Sequence, residues 1–104
     1  MLRLGLAACL AAVALAPAAL AGGYPPGETH AVLASPADKG TELVIDSRIW
    51  RCDGTACVAL PNDSDVRRKP LTECQHAART LGKFTAYATG DVVLTEAQLA
   101  ECAK

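Results

Sequence analysis

Cysteine placement constrains this chain more than any other feature of its sequence. One of the five cysteines, Cys9, lies in an apolar N-terminal run, and the other four lie in the short segment that follows, at Cys52, Cys57, Cys74 and Cys102. A core this small buries too little apolar surface to be stable alone, so small exported domains of this kind are commonly stapled by disulfides. The four cysteines therefore predict two disulfides in an oxidising compartment.

The N-terminus has the three parts of a cleavable secretory signal. Arg3 gives one positive charge, residues 4–15 carry no charge, and Ala19-Leu20-Ala21 supplies the small residues of a cleavage site. We predict cleavage between Ala21 and Gly22, so that residues 1–21 are a signal peptide. A retained anchor is disfavoured because a bilayer span needs about 20 apolar residues, more than the 12 residues from Leu4 to Leu15 that precede the helix-breaking Pro17.

Leu6-Ala7-Ala8-Cys9 matches the short lipobox of bacterial lipoproteins, which would make Cys9 a lipidated N-terminus. We disfavour lipidation because residues 4–8 alone would form a hydrophobic region shorter than the about 7 to 15 residues of an ordinary signal. The chain is thus predicted to be periplasmic or secreted, with no stable membrane anchor after cleavage.

Charge excludes some classes of partner. Arg3 is the only charged residue of the signal, so the 83 residues after it carry 9 basic and 11 acidic side chains and a net charge of −2. Binding to nucleic acid or to an anionic membrane would require a basic excess. We therefore predict no nucleic-acid partner.

Turn-forming residues divide the rest of the chain. Residues 22–41 are rich in glycine and proline, which predicts a flexible N-terminal spacer before a domain over residues 42–104. Within the domain, β-branched and aromatic residues predict strands at 43–45 and 48–52 around Asp46-Ser47, and a third strand at 57–60 after a turn at 53–56.

Two capping boxes, Thr72-x-x-Gln75 and Thr95-x-x-Gln98, predict helix starts, and Gly82 is placed to end the first helix. Between the helices, Gly90-Asp91 predicts the turn of a β-hairpin. The predicted fold class is α+β: a β-meander, a helix, a β-hairpin and a short C-terminal helix, stapled by two disulfides.

Four cysteines allow three pairings. Pairing Cys52 with Cys57 and Cys74 with Cys102 closes the shortest loops, and it suits a pair that brackets a turn and a pair on two apolar helix faces. We favour this pairing, although the sequence leaves the others open. A zinc site needs close C-x2–4-C pairs and histidines, and a redox centre needs C-x-x-C; neither spacing occurs.

Other reactive side chains have few partners in the sequence. His76 is two residues from Cys74, so on a helix it points to another face and is predicted to be exposed. His30 lies in the predicted spacer without an evident partner, and Trp50 is expected in the core beside the Cys52–Cys57 bridge. We predict no catalytic residue, metal ligand or cofactor.

The pattern Trp50-Arg51-Cys52-x4-Cys57, followed by Cys74, Gly82 and Gly90-x3-Leu94-x4-Leu99-x2-Cys102, resembles a family of small secreted bacterial four-cysteine proteins of unknown function. The resemblance covers about residues 43–102. It implies an exported domain with two disulfides and implies no activity. Similar sequences tend to have a glycine turn where this chain has Asp46-Ser47.

These observations predict a non-catalytic periplasmic or secreted domain that acts by binding or as part of the cell envelope. The alternative is a thiol-redox protein or another small exported enzyme. The partner is an unknown envelope component or protein. One possible partner patch is Arg67, Arg68 and Lys69, the only basic run, which suits an anionic envelope component or an acidic protein surface.

Overall fold

The computed structural model describes residues 20–61 and 69–104. It confirms the α+β fold class. Four strands form one antiparallel sheet in the order β2-β1-β3-β4, and two helices pack on it. The elements are β1 (Thr29–Ile45), β2 (Arg48–Ala59), α1 (Pro70–Leu81), β3 (Phe84–Thr89), β4 (Val92–Val93) and α2 (Glu96–Cys102).

The hairpin of β1 and β2 is long and bent. Asp46 and Ser47 form its two-residue turn with φ values of 53° and 63°, the left-handed geometry that matches the twist of the flanking strands. Register shifts interrupt the β1–β2 pairing between Val32 and Thr41. β2 folds back on itself at the bend, so its two ends meet. There the N–H of Leu60, just after β2, donates to the carbonyl of Ile49, near the start of β2, at 3.1 Å.

The predicted separate strand at 57–60 is therefore wrong in its boundaries. β2 runs without a break from Arg48 to Ala59, since β1 continues past the bend and pairs with both halves of β2. The predicted turn at 53–56 lies inside β2 at the bend, opposite the longer, bulged part of β1. The predicted disulfide between the cysteines that flank these residues is confirmed, because Cys52 is bonded to Cys57.

The prediction of a flexible spacer over residues 22–41 is wrong for Thr29 onward. That segment is the first part of β1, which lies between β2 and β3, and Ala31 and Leu33 are buried. Two of the breaker residues that suggested a spacer, Pro36 and Gly40, lie within the register shifts, where a bulged strand accepts them.

Three aromatic rings occupy the centre of the core. Trp50 is 1% exposed, which confirms its predicted burial, and its ring centroid lies 5.9 Å from Phe84 and 6.2 Å from Tyr87. Around them pack smaller side chains from the sheet and both helices: Ala31, Leu33, Ala59, Ala77, Leu94 and the four bonded cysteines.

The second disulfide joins the helices. Cys74 and Cys102 are buried and bonded, so the favoured pairing is confirmed for both bridges. The capping box of Thr95 and Gln98 is present at the start of α2. The one predicted at Thr72 is absent, because α1 begins earlier, at Pro70, whose ring suits the first helical position.

The predicted turn of the second hairpin and the predicted end of α1 are both confirmed. Gly90, with φ of 56°, begins the two-residue turn between β3 and β4. Gly82, with φ of 106°, follows the last residue of α1 and donates its N–H to Ala78.

Candidate functional site

Arg48 is the centre of a buried polar cluster. Its side chain is 5% exposed, and Nη1 pairs with the Glu73 carboxylate of α1. Nε donates to the Leu60 carbonyl at 3.1 Å, and Nη2 donates to the Gly27 carbonyl at 2.7 Å and to Oγ1 of Thr29 at 2.8 Å. One guanidinium thus joins the N-terminal segment, β1, the end of β2 and α1.

These contacts engage all three guanidinium nitrogens of Arg48, and a further contact reaches the Ala59 carbonyl at 3.2 Å. A cation whose nitrogens are already directed at internal acceptors is poorly placed to hold an external anion. The arrangement therefore suits a structural role. Sequence reasoning missed it, although Arg48 lies two residues before Trp50 and so falls on the same face of β2.

Tyr87 lies beside this cluster. Its hydroxyl has no hydrogen-bond partner within the described ranges, although Thr29 and Arg48 are near. Burial, and next the charge of Glu73, raise the pKa of Tyr87, and Arg48 and Thr29 oppose this only partly. The phenol therefore stays neutral at physiological pH, and nothing in this geometry activates it as a base.

Both histidines are paired with carboxylates. Nδ1 of His76 lies 2.7 Å from Oδ2 of Asp46, so α1 is joined to the β1–β2 turn. The side chain of His76 is 29% exposed and thus less open than predicted. The interpretation of His30 as unpartnered is wrong, since its Nε2 lies 2.7 Å from Oε1 of Glu28 and its ring stacks on Tyr24 at 3.7 Å.

The segment before β1 is held against the β3–β4 turn. The N–H of Tyr24 donates to the Gly90 carbonyl at 3.3 Å, and the N–H of Gly90 donates to Glu28 at 3.0 Å. These bonds, together with the stacked ring, explain why the chain is ordered upstream of the predicted domain boundary at residue 42.

The described part of the chain offers little for metal or thiol chemistry. All four of its cysteines are bonded, and residues 20–61 and 69–104 contain no cluster of three or more His, Cys, Asp or Glu side chains that could hold a metal ion. None of the helices in these ranges has the length and apolar character needed to cross a bilayer.

A surface with three exposed aliphatic residues lies on the face of the β1–β2 hairpin that points away from the core. Val44 is 68% exposed, its cross-strand partner Ile49 is 40% exposed, and Leu60, bonded through its N–H to Ile49, is 38% exposed. We call these three residues the outer row. Beside it, Nε of Arg51 lies 2.9 Å from Oε2 of Glu42, its own cross-strand partner.

A groove of about 600 Å³ runs from the outer row toward the bend. Both aliphatic and charged side chains line the groove. The lining residues are Gly40, Thr41, Glu42, Arg51, Cys52, Asp53, Ala56, Val58 and Leu60. The Cys52–Cys57 bridge holds the bend that shapes this groove. A groove with an aliphatic interior and a few charged groups suits binding rather than acid–base chemistry.

The partner patch predicted at Arg67, Arg68 and Lys69 is not assembled by the described residues. Lys69 is exposed just before α1, and Arg67 and Arg68 lie outside the described ranges, so the patch stays a prediction. Ala21 is exposed and Gly22 lies near Val93. Cleavage between Ala21 and Gly22 also stays a prediction.

Comparison with known proteins gives a family without an activity. The model of a family described only as of unknown function (DUF8200) matches residues 7–104. No curated protein and no solved structure matches the chain.

Proposed function

Because this chain belongs to the family of unknown function DUF8200, we propose a role from its own structure. It is a non-catalytic, exported domain that acts by binding a protein or envelope component through the outer face of the β1–β2 hairpin. The observation that carries the proposal is the outer row of Val44, Ile49 and Leu60 beside the groove.

A contiguous aliphatic surface supports a binding role. Single exposed aliphatic residues are ordinary, but neighbouring ones with a polar border are typical of interaction sites. Val44 and Ile49 are cross-strand neighbours, and the Glu42–Arg51 pair borders them on the same two strands. The disulfide-braced bend beneath the groove keeps this surface preformed, which lowers the ordering cost of binding.

Engagement of the reactive side chains supports a non-catalytic role. The four cysteines of the described ranges are bonded, Arg48 is directed inward, and His30 and His76 are paired with carboxylates that tie elements of the fold together. Two disulfides form most readily in an oxidising compartment, which supports the predicted periplasmic or secreted location.

Site-specific photo-crosslinking tests the binding role. A photoreactive amino acid replaces Val58 in the groove, and in a matched control it replaces Ala97, an exposed residue of α2. We expect the Val58 probe to give a discrete crosslinked product in intact cells, and the Ala97 probe to give none. Excess wild-type protein should lower the yield of this product by competing for the partner, whereas excess Val58→Arg protein should not. Equal products from both positions would refute binding through this face.

A thiol titration tests the competing thiol-enzyme hypothesis. The mature protein, unfolded in denaturant without reductant, should show no thiol that reacts with a thiol reagent, because its cysteines are bonded in pairs. Two or more reactive thiols per chain in protein isolated from its native compartment would favour the redox alternative. An intact-mass measurement of the same sample checks cleavage at Gly22 and the absence of lipid on Cys9.

A further inference from the structure

We propose that the outer face of the β1–β2 hairpin is a self-association surface and that the partner it fits is a second copy of this chain. The inference rests on the binding role proposed above and names the partner for the same surface. The argument comes from how complementary residues are placed across β1 and β2.

Two cross-strand pairs form this part of the face, and each pair is complementary within itself. Glu42 lies opposite Arg51, and Val44 lies opposite Ile49. One pair joins opposite charges and the other joins two aliphatic side chains. Along each strand the members are two residues apart, so all four side chains point to the same side of the sheet.

This placement makes the face self-complementary about a two-fold axis. If the axis runs parallel to the strands, between β1 and β2, rotation lays β1 of one copy over β2 of the other. Glu42 then faces the Arg51 of the second copy, and Val44 faces its Ile49. Each contact occurs twice, as symmetry requires of an isologous interface.

Exposure and charge make this contact favourable. Val44 is 68% exposed and Ile49 is 40% exposed, so both have apolar surface left to bury. Glu42 and Arg51 are already paired within one copy, and a two-fold contact leaves neither charge without an opposite partner, which offsets part of the cost of removing them from water. The surface is small, so the dimer is expected to be weak and to depend on concentration.

Sedimentation equilibrium of the mature, oxidised chain tests the proposal. Between about 10 µM and 1 mM, concentrations that bracket a weak complex, the apparent mass should rise from monomer toward dimer. Val44→Lys should weaken dimerisation by about tenfold or more, because it places a charge in the aliphatic contact. Ala97→Lys, which adds the same charge to an exposed position of α2, should leave dimerisation unchanged.

A charge-exchange experiment separates self-association from a merely structural effect. Glu42→Arg and Arg51→Glu should each weaken their own homodimer at low salt, because like charges then face each other across the axis. An equimolar mixture of the two variants should form a heterodimer at least about tenfold tighter than either homodimer, since every contact across the axis again joins opposite charges. Pairing within one chain cannot produce this rescue.

Three outcomes would overturn the proposal: a monomer at every concentration, a dimer insensitive to Val44→Lys, or a mixture no tighter than its components. A monomer whose Val58 probe still crosslinks to a different protein would refute self-association and leave the proposed binding role intact. A monomer without any specific crosslink would refute both.

Discussion

Replacing Arg48 by methionine tests whether the buried guanidinium organises the fold. Methionine keeps most of the aliphatic length of arginine and removes the donors, so the variant isolates the polar contacts. The Gly27, Ala59 and Leu60 carbonyls lose a donor, and the Glu73 carboxylate loses the Arg48 cation. Removing one partner of a buried ion pair costs about 3–5 kcal/mol.

Glu73 is 15% exposed, which lets water approach its carboxylate, so we expect a loss near the lower limit, about 3 kcal/mol. Urea unfolding followed by the fluorescence of Trp50 measures it directly, because Trp50 is the single tryptophan and is buried. A double variant, Arg48→Met with Glu73→Met, should lose less than the sum of the two single losses, by about 1–2 kcal/mol.

The double variant also serves if Arg48→Met alone does not fold, because it leaves no carboxylate beside the missing cation. A loss below about 1 kcal/mol, the range of an exposed ion pair, would mean that Arg48 is not a buried anchor in solution. Additive losses in the two single variants would show that Arg48 and Glu73 do not interact.

Three further substitutions give testable changes in stability. Replacing both Cys74 and Cys102 by alanine should lower the free energy of unfolding by about 3.6 kcal/mol, against about 2 kcal/mol for replacing Cys52 and Cys57, because the Cys74–Cys102 bridge spans 28 residues and the Cys52–Cys57 bridge spans 5. Equal losses in urea titrations would contradict the loop-entropy reasoning. Ser47→Gly should raise the melting temperature, equivalent to about 0.5–1 kcal/mol, because glycine adopts the φ of 63° without strain; a lower melting temperature would contradict this. The pKa of Tyr87 is raised above its unfolded value of 10.0, so the stability of the wild-type protein should fall as pH rises above 10. Tyr87→Phe should lessen that fall and change stability little at pH 7, and an identical alkaline decline in both proteins would refute a role for Tyr87 in it.

Local chemistry made much of the fold predictable from the sequence. Capping at Thr95 and the turn at Gly90 depend on side chains within about four residues, so their signals lie side by side in the chain. The pairing of Cys52 with Cys57 and of Cys74 with Cys102 followed from short loops and apolar helix faces. The false capping box at Thr72 shows the limit of such signals, since Pro70 begins the helix first.

Long-range pairing decided what the sequence did not predict. Thr29 pairs with Ala59 and also with Thr89, and these contacts convert a breaker-rich segment into a central strand. Arg48 acquires its buried role only when residues distant in the chain, including Gly27 and Glu73, converge on it.

The same distinction applies to the candidate site. Cysteine placement predicted a domain stapled by two disulfides, which the structure confirms, whereas export stays a prediction from the N-terminal sequence. The outer row exists only after the bend brings Leu60 beside Ile49 and the hairpin register places Val44 opposite Ile49. Register and bending are set by contacts between distant segments, so the surface with which this protein is proposed to bind is a property of the tertiary structure.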